Sequence, residues 1–292
     1  MRWTPGGRSE DLEDRRGDTP SGGGGFGGFG GMRLGLGGML VLLVLSVVFK
    51  RDFLSLATSG GGGGKAAQTS SRPVNDPNEE PQVQFVSFVL DDAQRTWAQI
   101  LPAQGVQYRR AKLTLFRDAI NSACGFAEAA TGPFYCPGDQ KVYLDLGFLN
   151  ELHRLGVSGD FAVAYVIAHE VGHHIQNVIG TDRKFRQYQS QARSQEQANA
   201  LSVLMELQAD CYAGVWANHA DSQRHILEQG DVEEGLNAAA AIGDDRMQKM
   251  AGRRVTPDGF THGSSQQRVQ WFRTGMQSGD INACDTFKQA GL

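Results

Sequence analysis

Residues 159–180 read GDFAVAYVIAHEVGHHIQNVIG, which places three histidines and a glutamate within six positions of an otherwise apolar helical pattern. Small residues such as Ala168 and Gly172 keep this predicted helix narrow, while its bulky apolar side chains require burial. His169 and His173 are four positions apart, so both imidazole rings project from one face. Because buried imidazoles need polar or metal partners, the fold must enclose this helix and supply them.

The segment contains the pattern H-E-x-x-H, formed by His169, Glu170 and His173. Two neutral imidazoles suit Zn²⁺, with Co²⁺ or Mn²⁺ as open alternatives, and Glu170 is placed to take a proton from a water on the ion. The motif therefore predicts zinc-dependent hydrolysis with Glu170 as general base. His174 lies about 100° further round the helix, so we expect it to pack or hydrogen-bond.

A catalytic zinc needs a third protein ligand and an open fourth position. A metzincin would place a glycine and a histidine where this chain has Gln176 and Ile179, so that branch is excluded. The later segment MELQADCYAG offers Glu206 as third ligand and Asp210 as acceptor for a ligand imidazole N–H. A weaker candidate for the third ligand is His219, near the end of the predicted helix.

Peptide hydrolysis also needs a donor to the developing oxyanion. His262, in the segment FTHGSS, is the preferred candidate, with Tyr135, Tyr143 and Tyr165 as alternatives. The alternating segment KVYLDL, residues 141–146, is a hypothetical edge strand against which an extended peptide would pair.

Glycine content separates a folded part from its extensions. Residues 1–64 contain 19 of the 38 glycines, and such tracts bury too little apolar surface to offset the entropy of ordering them. We therefore predict a disordered tail at 1–31, a flexible linker at 50–82 and a single metallopeptidase domain at 83–292. The formal net charge of −4 provides no basic field, which excludes nucleic acid as a partner.

Residues 34–49 form a run of 16 residues without a charge, bracketed by Arg33 on one side and by Lys50 and Arg51 on the other. With these flanks the run is just long enough to cross a bilayer core of about 30 Å. A cleaved signal peptide is the alternative, but the run starts late and no small-x-small cleavage site follows it. We predict an uncleaved single-pass anchor at 32–49, whose orientation the flanking charges do not decide.

Cysteine usage indicates the compartment, because all four cysteines follow the apolar run. The separation of 12 residues between Cys124 and Cys136 suits a hairpin closed by a disulfide, which leaves Cys211 to pair with Cys284. This pairing implies an oxidising, extracytoplasmic location on the periplasmic side of the cell membrane. Four free buried thiols in a cytoplasmic domain are the alternative.

The remaining periodicities predict an α+β fold dominated by helices, with a small antiparallel sheet near its amino-terminal edge. Asp160 is expected to cap the H-E-x-x-H helix, and Ser264 or Ser265 to cap the last one. The predicted strands are 111–116, 132–136 and 141–146. The first predicted helix ends at Pro102. The other predicted helices cover 148–156, 160–180, 198–218, 231–250 and 264–272.

Several blocks, in this order, resemble one family over nearly the whole chain: GPFYC, KVYLDL, GDFAVAYVIAHEVGHHIQ, ELQADCYAGVWA and FTHGSSQQRVQWF. They are similar to the bacterial neutral zinc metallopeptidases, the YpfJ-like membrane proteins. The resemblance implies a zincin-type fold with one amino-terminal membrane anchor, acting on a peptide or protein substrate. It identifies neither that substrate nor the oligomeric state.

The sequence thus favours a membrane-anchored zinc metalloendopeptidase with Glu170 as general base. Two other classes stay open. The first is an inactive, membrane-tethered binding protein that keeps zinc for stability, against which the retained Glu170 argues. The second is an assembly factor that works through the glycine-rich tail.

Overall fold

The computed structural model describes residues 1–18, 76–128 and 132–292. The predicted anchor at 32–49 and most of the predicted linker lie outside these residues. Within the described residues, no helix has the length and apolar character needed to cross a membrane.

The strands of the described residues form a four-stranded sheet and a separate hairpin. The four-stranded sheet has the order β1-β2-β6-β5, and β3 pairs with β4 in the hairpin. Their bounds are β1 (Leu12–Asp14), β2 (Lys112–Phe116), β3 (Ala119–Ser122), β4 (Gly125–Glu128), β5 (Phe134–Cys136) and β6 (Lys141–Asp145). Three of them, β2, β5 and β6, are the predicted strands, whereas β1, β3 and β4 were not predicted.

The prediction of antiparallel pairing is confirmed for β5–β6, and the hairpin β3–β4, which was not predicted, is antiparallel as well. The other two pairs, β1–β2 and β2–β6, are parallel. The β3–β4 hairpin and β5 lie between β2 and β6 in the chain, so β6 returns beside β2 in the same direction. β6 is therefore paired on both sides, and its predicted role as an edge strand is wrong. The edges of this sheet are β1 and β5.

The predicted disorder of residues 1–31 is wrong for residues 1–18, because β1 pairs with β2 there. Arg16 is only 4% exposed and forms ion pairs with Asp14 and with Glu79. The glycine tracts that motivated the prediction begin at residue 22, so the high glycine content of 1–64 does not apply to its first eighteen residues.

Helices make up most of the domain. They are α1 (Glu80–Ala103), α2 (Phe148–Arg154), α3 (Asp160–Ile179), α4 (Thr181–Ser190), α5 (Gln195–Arg224), α6 (Asp231–Ala241), α7 (Asp244–Met250), α8 (Ser265–Ser278) and α9 (Thr286–Gln289). α1 starts at Glu80, slightly ahead of residue 83, where the predicted domain begins. The helix predicted at 231–250 is divided at Gly243, whose backbone is extended.

The starts of α3 and α8 are satisfied in different ways. Asp160 is the first residue of α3 rather than its cap, because Glu234 from α6 accepts a hydrogen bond from the N–H of Phe161 (3.1 Å). The capping residue is Gly159, where a Cβ would lie 2.0 Å from the Glu234 carboxylate. For α8 the cap is Ser264, one of the two predicted residues, in a reciprocal capping box.

Both predicted disulfides are present. Cys124 and Cys136 are joined across a Cα separation of 5.8 Å, and Cys211 and Cys284 across 5.5 Å. The second disulfide fixes the carboxy-terminal 3₁₀ turn to α5 in the fully buried core.

Two glycines allow α5 and α8 to pack with their backbones in contact. A Cβ at Gly275 would lie 1.9 Å from the carbonyl oxygen of Cys211, and a Cβ at Gly214 would lie 2.1 Å from that of Phe272. The helix carrying Glu206 is thereby held tightly against α8.

We expect Gly275→Ala to lower the free energy of unfolding by about 1–3 kcal/mol, because two backbones must separate to admit the methyl group. Alanine otherwise favours a helix over glycine, so a loss would report the clash alone. Denaturant unfolding should show this loss, while the control Gly259→Ala, whose nearest contact would be 3.5 Å, stays near the wild type. Unchanged stability of Gly275→Ala would contradict the close crossing.

Candidate metal centre

The candidate metal centre lies where α3 crosses α5. α3 carries His169, Glu170 and His173, and α5 carries Glu206. Gly172 makes the close crossing possible, because a Cβ there would lie 3.0 Å from the backbone oxygen of the facing residue on α5. The narrow helix predicted from the small residues thus brings two side-chain sets from distant parts of the sequence together.

His169, His173 and Glu206 each direct one donor atom toward a common point. These three atoms lie within 4.8 Å of one another. The Nε2 atoms of His169 and His173 are 3.2 Å and 3.5 Å from the two carboxylate oxygens of Glu206. Two imidazole nitrogens and one carboxylate form the donor set that Zn²⁺ takes in hydrolytic sites, so the residues present fit this ion.

His169 is oriented by a buried charge network. Its Nδ1–H donates to Asp210 at 2.8 Å, which directs Nε2 toward Glu206. Asp210 also accepts two hydrogen bonds from Arg268, at 2.8 and 2.9 Å, and one from the hydroxyl of Tyr165. Asp210 is fully buried and Arg268 is 1% exposed. Asp210 thus takes its predicted position, whereas sequence reasoning did not find Arg268.

His173 is oriented by an amide chain that was also not predicted. Its Nδ1–H donates to Oε1 of Gln176 at 2.8 Å, and Gln176 donates in turn to Oε1 of Gln208 at 3.1 Å. Gln208 donates to the carbonyl oxygen of Cys284 at 3.0 Å, so the chain ends at the buried disulfide. Gln176 and Gln208 leave the Nε2 atom of His173 free to face Glu206.

Glu170 differs from the other ionisable residues of this centre. It is 8% exposed, yet within the described ranges no hydrogen bond or ion pair engages its carboxylate. It does not belong to the group of donor atoms around the common point. A buried carboxylate next to two ligand positions is free to act on a water molecule.

His262 lies near Glu206 on the loop before α8. Asp244 holds this loop, because its Oδ2 accepts the backbone N–H groups of Thr261, His262 and Gly263 at 2.7, 2.6 and 3.0 Å. The other oxygen of Asp244 lies 3.3 Å from Nδ1 of His262. Burial opposes protonation of His262, but Asp244 and the charge of Glu206 raise its pKa above the ordinary value. Its side chain is 44% exposed, so a substrate can reach it.

The alternative candidates from the sequence have other partners. Tyr143 donates to Asp139 at 2.7 Å. Tyr135 donates to Nδ1 of His174 at 3.1 Å, and Nε2 of His174 lies 2.6 Å from the carbonyl oxygen of Arg109. His174 is therefore a hydrogen-bonded core residue, as expected. His219 contacts the carbonyl oxygen of Gly279 at 2.9 Å and takes no part in the metal centre.

Protons compete with a metal for these donors. Burial opposes protonation of His169, but the carboxylates of Asp210 and Glu206 outweigh it and raise the pKa of His169 to about 10. The pKa of Glu206 lies well below its ordinary value, because the histidines outweigh the effect of burial. The imidazole must lose this proton before Nε2 can bind an ion.

We therefore expect zinc binding to release at least one proton and to weaken as the pH falls, because His169 stays protonated below its raised pKa. The apparent affinity should fall about tenfold or more per pH unit between pH 8 and 6. Competition with a chelator at several pH values, and calorimetry in two buffers with different ionisation enthalpies, measure this. An affinity independent of pH would contradict the arrangement.

The site groups two histidines and a glutamate around one point, and a second glutamate lies beside them on the H-E-x-x-H helix. This arrangement is typical of the class of zinc-dependent hydrolases. The chain belongs to one family within that class. The model of the family described as "Putative neutral zinc metallopeptidase" matches residues 1–287.

Relatives from two bacterial groups resemble the chain. "Uncharacterized protein YpfJ" of Escherichia coli (strain K12) is 47% identical over 293 residues, which cover 98% of this chain and 99% of the relative. "Uncharacterized protein Rv2575" of Mycobacterium tuberculosis (strain H37Rv) is 42% identical over 207 residues, or 67% of each chain. No solved structure gave a significant match.

Proposed function

We propose that this protein is a zinc-dependent metalloendopeptidase that hydrolyses peptide bonds in peptide or protein substrates. The observation that carries the proposal is the unpartnered, nearly buried carboxylate of Glu170 beside the group of His169, His173 and Glu206. A zinc site that serves stability alone needs only its ligands, and has no use for a carboxylate that lies beside the ion without binding it.

Each side chain has a defined part in this reaction. His169, His173 and Glu206 would hold the zinc, which when bound would supply a Lewis acid for the scissile carbonyl and for the attacking water. Glu170 takes the proton of that water and delivers it to the leaving amine, so no covalent intermediate with the protein is needed. Asp210 keeps the His169 ring in the tautomer whose Nε2 is available as a ligand.

His262 is proposed as the donor to the developing oxyanion. Its side chain is 44% exposed and close enough to Glu206 to feel its charge, and Asp244 fixes the loop and favours the protonated, donating form. Tyr135, Tyr143 and Tyr165 serve less well, because each already has a hydrogen-bond acceptor.

We expect His262→Gln to lower kcat by up to about 10²-fold, since one donor to the oxyanion is weakened or misplaced. The apparent zinc affinity should stay within a few fold of the wild type, because His262 is not a ligand. Asp244→Asn should give a smaller loss of kcat, as its amide can still accept from the loop. Wild-type kcat in His262→Gln would exclude this role and leave His262 as a loop residue.

The proposed site of action is the outer side of the cell membrane. All four cysteines are paired in the two disulfides, which favours an oxidising compartment. The uncharged run at residues 34–49 is the proposed attachment to the lipid bilayer.

Zinc analysis of the purified full-length protein, combined with digestion of a peptide library, tests the proposed activity. One equivalent of zinc and cleavage that a chelator stops and added zinc restores would support the metalloendopeptidase. Stoichiometric zinc without cleavage of any library member would instead favour the inactive binding protein.

A further inference from the structure

Residues 1–18 are part of the same folded unit as the metal centre, although an apolar run separates them from it in the sequence. Leu12 of β1 pairs in register with Leu113 of β2. Nearer the amino terminus, the N–H of Arg2 donates to the carbonyl oxygen of Ile226, just after α5, at 2.7 Å. The segment therefore contacts both the sheet and the helical part of the domain.

Polar contacts fix this segment to α1. Arg8 forms an ion pair with Glu80 at 2.6 Å. Gln94 is fully buried and donates its amide to the carboxylate of Asp11 at 3.0 Å, with Asp11 itself 6% exposed. If residues 1–18 left the domain, the buried amide of Gln94 would lose this acceptor. Such contacts are those of a domain interior rather than of a transient tail.

The first two described ranges end and begin close together. The first range ends at Asp18 and the second begins at Asp76. Arg16, two residues before the end of the first range, forms an ion pair with Glu79, three residues after the start of the second. Both of these chain ends therefore lie near the first turn of α1.

A single crossing of the bilayer by residues 32–49 would put residues 1–18 and residues 76–292 on opposite sides. Strand pairing between β1 and β2 is incompatible with that separation, because backbone hydrogen bonds join the two directly. We propose that residues 1–18 and the metal-site domain lie on the same side of the membrane, so the chain is attached to the lipid from one side only. This inference rests on the proposed membrane attachment and replaces the single-pass topology predicted from the sequence.

Labelling of the full-length protein in bacterial spheroplasts tests the inference. One variant carries Thr4→Cys and the other Gln277→Cys, both at exposed positions outside the metal centre. A membrane-impermeant maleimide is applied before or after lysis. We expect equal labelling of the two variants in each condition, with labelling of both before lysis if the domain lies outside the cytoplasm. Labelling of Gln277→Cys before lysis and of Thr4→Cys only afterwards would overturn the inference while leaving membrane attachment intact.

Carbonate extraction of the same spheroplasts tests the attachment separately. The full-length protein should remain with the membranes, and a variant lacking residues 32–49 should be released. Recovery of the full-length protein in the soluble fraction would overturn the attachment, and with it the one-sided topology, whatever the labelling result.

Discussion

Glu170→Gln should lower kcat for peptide hydrolysis by about 10²- to 10⁴-fold, the range expected when a general base is removed. Glutamine keeps the size and shape of the side chain but cannot accept the proton of the attacking water. Because Glu170 is not among the three donor atoms of the metal centre, the zinc content should remain at the wild-type level. The melting temperature should stay close to the wild-type value, since in the described residues no hydrogen bond or ion pair engages this carboxylate and its charge only weakly affects His173.

Glu206→Gln is the matched control, because it makes the same chemical change on the facing helix. This variant replaces a charged ligand, so it should lose zinc affinity as well as activity. Excess zinc should restore part of the activity of Glu206→Gln and none of that of Glu170→Gln. Appreciable activity in Glu170→Gln, measured at saturating zinc, would show that another group accepts the proton.

The residues that the structure groups in the candidate metal centre could be singled out from the sequence because their signals are local. His169 and His173 are placed by one helical turn, and the acidic pair Glu206 and Asp210 by another, so helical periodicity alone puts each pair on one face. The cysteine count and spacing limited the disulfides to a few pairings. What the sequence could not show was the crossing of the two helices, although Gly172 marks the place where it occurs.

The contacts that were missed depend on chain segments far apart in the sequence. Arg268 follows a helical pattern that places it on the same face as the buried Phe272, and this was the one available signal. Strand β1 is only three residues long, and it lies between polar residues and before glycine tracts. Its stability comes from pairing with β2, about a hundred positions later, so local propensity gives no indication of it.

The buried pair of Arg268 and Asp210 should be the most sensitive point of the domain's stability. Arg268 donates two hydrogen bonds to Asp210, and both side chains are at most 2% exposed. Burial raises the pKa of Asp210, but the nearby charges of Arg268 and His169 lower it by more. The pKa therefore lies below its ordinary value, and the carboxylate stays charged. Removing the guanidinium would leave this charge with less compensation in the core.

We expect Arg268→Met to lower the free energy of unfolding by about 3–5 kcal/mol, as for other buried pairs that lose one partner. Denaturant unfolding in the presence of a chelator measures this without the contribution of zinc. The double variant Asp210→Asn/Arg268→Met should recover part of the loss, because the unpaired charge is removed with its partner. The recovered double variant should still bind zinc about 10- to 100-fold more weakly, since the His169 ring has lost its charged acceptor.

Arg154→Met is a suitable control, because Arg154 pairs with Glu151 on the surface and is 73% exposed. Solvent screens such a pair, so its loss should leave the unfolding transition unchanged. If Arg268→Met were as stable as Arg154→Met, the buried network would not be what holds α8 against the metal centre. Equal destabilisation of the single and double variants would show instead that the packing of the long side chain, rather than its charge, stabilises the domain.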